Sequence, residues 1–221
     1  RTLQVASVHH YRDQWAKAFD VKYEDDSGEQ KYVHQTTYGM SERLLGATVA
    51  THGDDKGLIM PPSIAPIQVV VVPILSKEGS EEIMSAAHEI VKKLKAEKIR
   101  VKLDDRDIRP GQKYYDWEIK GVPLRIELGP RDLKSNSFMC ATRAGNKSSY
   151  SIDDLLNSVR DELSSVNNYM KEKAKEHFNQ HIKKMPNLEI NGSTISLKEQ
   201  LEEGYVYEMA FEGNDAEAEM I

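Results

Sequence analysis

The run Ile-Gln-Val-Val-Val-Val-Pro-Ile-Leu at residues 67–75 constrains this chain more than any other stretch. It is almost continuously apolar and β-branched, without the alternation of a strand that keeps one face in water. Such a strand must be buried on both faces. Residues 79–97 then carry a helical pattern, and residues 99–103 read as a second strand. Strand, helix and strand at this spacing predict a right-handed βαβ unit with a parallel pair. Residues 112–119 read as a short helix, and residues 124–128 and 138–142 as further strands. Residues 67–150 are therefore expected to form an α/β domain of roughly five elements around one sheet.

The flanks read differently. Residues 3–8 suit a strand, with Leu3, Val5 and Ser7 on one face and Gln4, Ala6 and Val8 on the other. Residues 11–19 suit a helix whose stripe is Tyr11, Trp15, Ala18 and Phe19. Glu24-Asp25-Asp26-Ser27-Gly28 is a hairpin-type turn between residues 21–23 and 31–33. A β-rich run at 31–37 passes through Gly39 into a helix at 40–52. A turn follows at 52–57, and the prolines between 61 and 66 mark the best domain boundary. Ser151 is a natural N-cap, with Asp153 and Asp154 in the first turn, for a helix reaching about residue 184. Residues 188–221 are acidic and patchy, with a short helix expected at 196–203 and a strand at 205–211.

Charge is unevenly spread. The net charge is -6, yet residues 67–150 hold 16 Lys and Arg against 12 Asp and Glu, whereas residues 151–221 hold 7 against 15. A basic middle in an acidic chain fits a phosphate-contacting surface, and fits equally a solvated Lys-rich helix around residues 92–98. No apolar run nears the ~20 residues of a membrane span. Arg1 to His10 shows no signal-peptide pattern. Cys140 is the single cysteine, which excludes an internal disulfide and a cysteine-based zinc cage. A reducing, cytoplasmic setting is expected.

Two segments have the composition for chemistry. Thr36-Thr37-Tyr38-Gly39-Met40-Ser41-Glu42-Arg43-Leu44-Leu45-Gly46 runs from a strand through one glycine into a helix, with Arg43 one turn inside. A helix start offers unpaired N–H groups and a positive dipole end, both suited to phosphate. A purely structural turn has the same outline. The second segment, Asp104-Asp105-Arg106-Asp107-Ile108-Arg109-Pro110-Gly111-Gln112-Lys113, follows the second strand of the α/β domain, where open sheets place ligands. Its cations and carboxylates suit base edges and phosphates, or a charge-compensated surface turn. His9 and His10 are neighbours on a strand and cannot chelate jointly. His52, Asp54 and Asp55 suit capping and turns, and Cys140 suits an inert buried position. No nucleophile elbow, Walker loop or dinucleotide fingerprint is present.

Taken in order, several runs resemble the prolyl-tRNA synthetases of the archaeal and eukaryotic type. Residues 1–10, Arg-Thr-Leu-Gln-Val-Ala-Ser-Val-His-His, followed by Trp15-Ala16-Lys17-Ala18-Phe19, look like the stretch between class II motifs 2 and 3. Residues 36–46 resemble motif 3. His52-Gly53-Asp54-Asp55-Lys56-Gly57-Leu58-Ile59-Met60-Pro61-Pro62 resembles the exit into the anticodon-binding domain. Arg109-Pro110-Gly111 and Trp117-Glu118-Ile119-Lys120-Gly121-Val122-Pro123-Leu124-Arg125-Ile126-Glu127-Leu128-Gly129-Pro130-Arg131-Asp132 resemble that domain's signature. The resemblance implies the end of a class II antiparallel catalytic sheet at 1–62, a linker at 63–66, an α/β anticodon-binding domain with a mixed sheet at 67–171, and the start of an α+β C-terminal domain at 172–221.

It further implies ATP, Mg²⁺, L-proline and tRNA(Pro) as ligands, no membrane, and a homodimer when intact. Gln4 would hold ATP and its magnesium, Ser7 would line the adenosine site, and Ser41 would contact ATP. Arg43 would stack on adenine and neutralise the terminal phosphate. His9, Thr37 and Gly39 would form the proline pocket. Asp105, Arg106, Arg109 and Lys113 lie in the matching anticodon loop. Val5-Ala6 replaces smaller residues of the family pattern, Tyr38 stands at a frequent Trp position, and Glu42 sits beside the motif 3 arginine. With motifs 1 and 2 absent, this piece alone is expected not to activate proline. It contains no zinc ligands. A free-standing tRNA-binding or regulatory module is the alternative. A metal-dependent hydrolase using His9, His52 and Asp54 lacks recognisable ligand spacing.

Overall fold

The computed structural model describes residues 3–75, 79–184 and 203–208. Arg1 and Thr2, the helix expected at 196–203 except its last residue, and the end of the strand expected at 205–211 lie outside them. The chain divides into two compact units, Arg1–Gly53 and Asp54–Ile221.

In the first unit, strand β1 (Ala6–Arg12) leads into a short helix α1 (Gln14–Ala18), then the hairpin β2 (Lys22–Glu24) and β3 (Gln30–Tyr32), strand β4 (Gln35–Met40) and helix α2 (Arg43–His52). The hairpin turns where the Asp25 carboxylate accepts the N–H groups of Ser27 and Glu29, at 2.9 and 3.0 Å, with Gly28 at φ 83°. β1 and β4 pair antiparallel, setting Ser7 opposite Gly39, Val8 opposite Tyr38 and His9 opposite Thr37. This pairing moves two expected boundaries. Tyr11 belongs to the strand rather than to the helix, although it still meets Trp15 edge-on and Trp15 still stacks on Phe19. Met40 ends β4 because its partner Ala6 holds it extended, so α2 starts at Arg43.

The second unit is a five-stranded mixed sheet with helices on both faces. In chain order it contains β5 (Val69–Pro73), α3 (Ser80–Ala96), β6 (Val101–Leu103), α4 (Pro110–Ile119), β7 (Leu124–Leu128), α5 (Pro130–Lys134), β8 (Ser137–Thr142), β9 (Lys147–Ser151) and α6 (Leu155–Gln180). The sheet order is β6-β5-β7-β8-β9. β5 is parallel to both neighbours, and β7, β8 and β9 are antiparallel. Every residue of β5 is buried. Val69 and Val71 pack with Ile83, Ala87, Ile90 and Leu94 of α3 and with Leu155 and Val159 of α6. Val70 and Val72 face the other way, onto Trp117 and Val122. The expected double burial is met. β9 escaped the sequence reading because Lys-Ser-Ser-Tyr-Ser has no apolar period, being an edge strand. The Ser151 hydroxyl caps Asp153 at 3.2 Å, but α6 ends at Gln180. There the chain leaves as β10 (Ile182–Lys184), parallel to β11 (Val206–Glu208).

The two compact units divide between Gly53 and Asp54. Asp54 and Gly57 close a turn by reciprocal N–H···O bonds of 3.0 and 2.9 Å. Arg143, whose side chain is 3% exposed, binds both Asp54 carboxylate oxygens and the Gly57 and Glu118 carbonyls. Leu58 and Met60 donate to the carbonyls of Ile119 and Gly121, both at 3.1 Å. The prolines are fixed in turn: the Arg100 guanidinium donates to the carbonyls of Pro62, Ser63 and Ala65. Gly121 has φ 69°, and a Cβ there would lie 2.7 Å from Leu58. Gly121→Ala is therefore expected to destabilise the second unit by more than about 1 kcal/mol, read as a lowered urea midpoint. An unchanged midpoint would mean that residues 58–60 do not dock there.

Candidate functional site

In the first unit, the junction of β1, β4 and α2 encloses an open cavity of about 270 Å³ whose wall includes Gln4, Ser7, Gly39, Ser41 and Arg43. The register explains this. Ser7 and Gly39 are cross-strand partners, and a Cβ on Gly39 would sit 3.4 Å from the Ser7 hydroxyl, filling the cavity floor. Arg43 is the first residue of α2, and its Nη1 reaches back to the Gln4 carbonyl at 3.4 Å. The N-cap residue Glu42 makes no side-chain cap bond, and the amides of Leu44, Leu45 and Gly46 already donate to the carbonyls of Ser41 and Glu42, so the start of α2 presents the Arg43 guanidinium to the cavity rather than a row of free amides. His9 and Thr37 are the partner pair two positions along the same face of the ribbon, outside the cavity wall. The His9 ring stacks on Tyr11 at 5.2 Å. All seven residues expected to hold ATP and proline therefore share one strip of the ribbon and its helix start.

Among the described residues no group of three or more His, Cys, Asp or Glu could hold a metal ion. Gln4 offers one neutral oxygen. A magnesium ion there would fit only as a partner of nucleotide phosphates, with phosphate and water oxygens completing its shell.

In the second unit, the loop after β6 is organised around one carboxylate. Asp104 is 2% exposed. It accepts from Arg106 Nε at 2.8 Å and Nη2 at 2.7 Å, and from Trp117 Nε1 at 2.7 Å. Burial pushes its pKa up, the bonds from Arg106 and Trp117 push it down, and the balance is about 2. Arg106 also binds Asp116 at 2.8 Å. Lys113 is itself buried, and its ammonium donates to the Asp104 carbonyl at 3.0 Å. Of the four residues expected to meet an anticodon, Asp105, Arg106 and Arg109 are exposed and Lys113 is buried; Arg106 is tied to Asp104 and Asp116, and Lys113 to the Asp104 carbonyl.

A second polar group was not singled out by the sequence reading. On the α4 side of the sheet, β7 carries Arg125 and Glu127 where β5 carries Val70 and Val72. The Arg125 guanidinium lies 3.9 Å from the centre of the Tyr114 ring. It binds Glu127 at 3.0 Å and Glu118 at 3.7 Å, and Lys147 binds Glu127 at 2.8 Å. Burial and the Glu127 charge push the Tyr114 phenol up to about 12, so it stays a neutral donor. The available signal was the alternation of β7: Leu124, Ile126 and Leu128 are core residues, and the charged pair between them faces away from that core. Cys140 is buried and its thiol is pushed up to about 12, hence inert.

The Asp104 carboxylate has a folded pKa below its ordinary 3.8. Its contribution to stability is complete above about pH 4 and is lost as pH falls toward 2. Asp104→Asn should cost about 1.5–3 kcal/mol at neutral pH and remove that acid limb. Urea unfolding at several pH values reads both effects, and parallel acid limbs in the two proteins would count against the network.

Residues 68–162 match the family model for the anticodon binding domain. The chain is 48% identical over 190 residues to the proline–tRNA ligase of Thermococcus kodakarensis, covering 86% of this chain and 40% of that protein. It is 45% identical over 205 residues to that of Methanosarcina mazei, covering 92% and 42%, and 43% identical over 201 residues to that of Methanococcus aeolicus, covering 90% and 44%. The chain thus spans about two fifths of the length of the curated relatives it matches. A matched anticodon binding domain, together with this identity over most of the chain, places it in the prolyl-tRNA synthetase family, as a C-terminal region of such a protein.

Proposed function

We propose that the chain serves proline–tRNA ligation, supplying motif 3 and the anticodon-reading surface within a longer protein. One carboxylate oxygen of L-proline attacks the α-phosphorus of ATP and pyrophosphate leaves. The terminal ribose hydroxyl of tRNA(Pro) then attacks the carbonyl carbon of prolyl-adenylate, and AMP leaves. The observation that carries this reading is the cavity walled by Gln4, Ser7, Ser41 and Arg43. A module that only bound tRNA would have no use for it.

Arg43 stacks on adenine and neutralises phosphate, a role suited to a planar, permanently charged group. Ser7 lines the adenosine site, Ser41 contacts ATP, and Gln4 would help hold the nucleotide's magnesium, which would neutralise phosphate charge there. His9, Thr37 and Gly39 form the proline subsite. This reading carries with it a cytoplasmic setting and a homodimer of the intact protein.

For the anticodon, Asp105 and Arg109 offer an acceptor and a donor at the loop rim. Arg106 and Lys113 act by holding that loop through Asp104 and Asp116. The face bearing Tyr114, Glu118, Arg125 and Lys147 offers a ring, an acceptor and two cations within reach of one another. Unpaired bases are recognised by that combination of stacking and edge hydrogen bonds.

Two measurements test the proposal. At fixed salt, the chain should bind an anticodon stem-loop with the proline anticodon more tightly than one with a changed anticodon. Arg125→Ala should reduce that preference by about 5- to 150-fold. Equal binding of both RNAs by the wild-type chain would overturn the anticodon reading. In a full-length relative, replacing the residue aligned with Arg43 by Ala should slow ATP–pyrophosphate exchange by about 100-fold or more. An unchanged rate would remove Arg43 from the chemistry.

A further inference from the structure

The polar face of the sheet does not end at Arg125. Lys147 binds Glu127, Glu127 binds Arg125, and Arg125 binds the Glu118 side chain. The carbonyl of the same Glu118 accepts from Arg143 Nε at 3.2 Å. Arg143 then holds the Asp54 carboxylate, with Nη1 to Oδ2 at 2.9 Å and Nη2 to Oδ1, and the Gly57 carbonyl at 3.2 Å. A series of polar contacts, joined through the side chain and the backbone carbonyl of Glu118, thus runs from Lys147 to Asp54, the first residue of the second unit. Glu118 is its pivot, because both arginines touch it.

Several details single out Arg143. Its three guanidinium nitrogens are all engaged, and it follows directly on β8, where its N–H donates to the Pro123 carbonyl at 2.8 Å. It receives nothing from a ligand-facing surface, since its side chain is almost wholly buried. Its partners are one turn and the last residues of α4. The Arg125–Glu118 pair, at 3.7 Å, is the longest contact of the series and the one most easily altered by an incoming acceptor. The amides of Lys56, Gly57 and Leu58 donate to Asp54 Oδ1, the Asp54 carbonyl and the Ile119 carbonyl. Opening the turn therefore requires parting it from residues 118–119, in the helix that also carries Tyr114.

We propose that Arg143 is a positioning residue that ties the RNA-facing side of the sheet to the turn at Asp54 and Gly57, so that RNA held by Arg125 and Lys147 steadies the start of this unit. The inference rests on the anticodon reading above. RNA on that face restrains α4 through Tyr114 and Glu118, and a restrained α4 lets the turn open less often.

Hydrogen exchange on this chain, with and without the proline anticodon stem-loop, tests it. In the wild type, saturating RNA should slow exchange at Lys56, Gly57 and Leu58 by about two- to thirtyfold, the span of coupling through a packed network. Arg143→Lys replaces the fork by one ammonium, and Asp54→Asn keeps the shape but removes the charge. Both should bind the RNA within about twofold of wild type yet lose the RNA-dependent slowing. A purely structural role would raise exchange equally with and without RNA, preserving the ratio, and would overturn the inference. So would a wild-type turn that ignores bound RNA. If Arg143→Lys unfolds, Asp54→Asn carries the test, being partly solvated. A wild-type chain with no anticodon preference would instead overturn the anticodon reading, and this inference with it.

Discussion

Four valines in succession make β5 a strand that water can touch on neither side. Everything in the second unit follows from that demand. One face needs α3 and the N-terminal half of α6, and the other needs Trp117 and Val122. Covering both faces brings α4 across the sheet. With α4 come the buried Asp104–Trp117 bond and the Tyr114 ring beneath Arg125. The polar surface is thus a by-product of where the apolar cover stops: β7 presents valine-facing neighbours to the core and a charged pair beyond it.

Much of this was legible in the residues themselves. The continuous apolar run, the amphipathic period of α3 and the Ser151 cap are local signals, and each element stands close to where such signals put it. The cavity residues were singled out by family resemblance rather than by local pattern. Gln4, Ser7, Gly39, Ser41 and Arg43 lie in two short runs, so one strand pairing suffices to bring them together. What stayed hidden depends on contacts between distant positions. Lys113 looks like a free cation in sequence, and only the fold reveals the Asp104 carbonyl that absorbs it. Arg143 and Asp54 lie far apart along the chain, and no spacing rule joins them. The proline-rich stretch reads as a linker by composition, and its bonds from Arg100, some 35 residues on, have no local signal.

Two carboxylate–arginine pairs, each with one partner buried, illustrate how similar chemistry serves different ends. Asp104 gathers donors from residues 106 and 117, near it in sequence, and so shapes a loop. Asp54 meets an arginine just past β8, remote from it in sequence, and so fixes where a segment lies. In both cases the carboxyl is held at a pKa of about 2 because a guanidinium fork satisfies the charge that its surroundings would otherwise disfavour. The specificity comes from geometry: a fork needs two oxygens in one plane, which a wandering segment cannot supply.

The first unit has almost no interior. Among its described residues only Ala16 is buried, while Val8, Tyr38 and Met40 are 71%, 74% and 75% exposed along one face of the ribbon. The second unit holds a complete apolar core. The two therefore differ in how freely evolution could move them. A segment with its own core can be transplanted between proteins and still fold, whereas a two-stranded ribbon that draws its order from surrounding sequence must be inherited together with that sequence. Recombination is accordingly expected to carry the second unit about as a separable block more readily than the ribbon of β1 and β4.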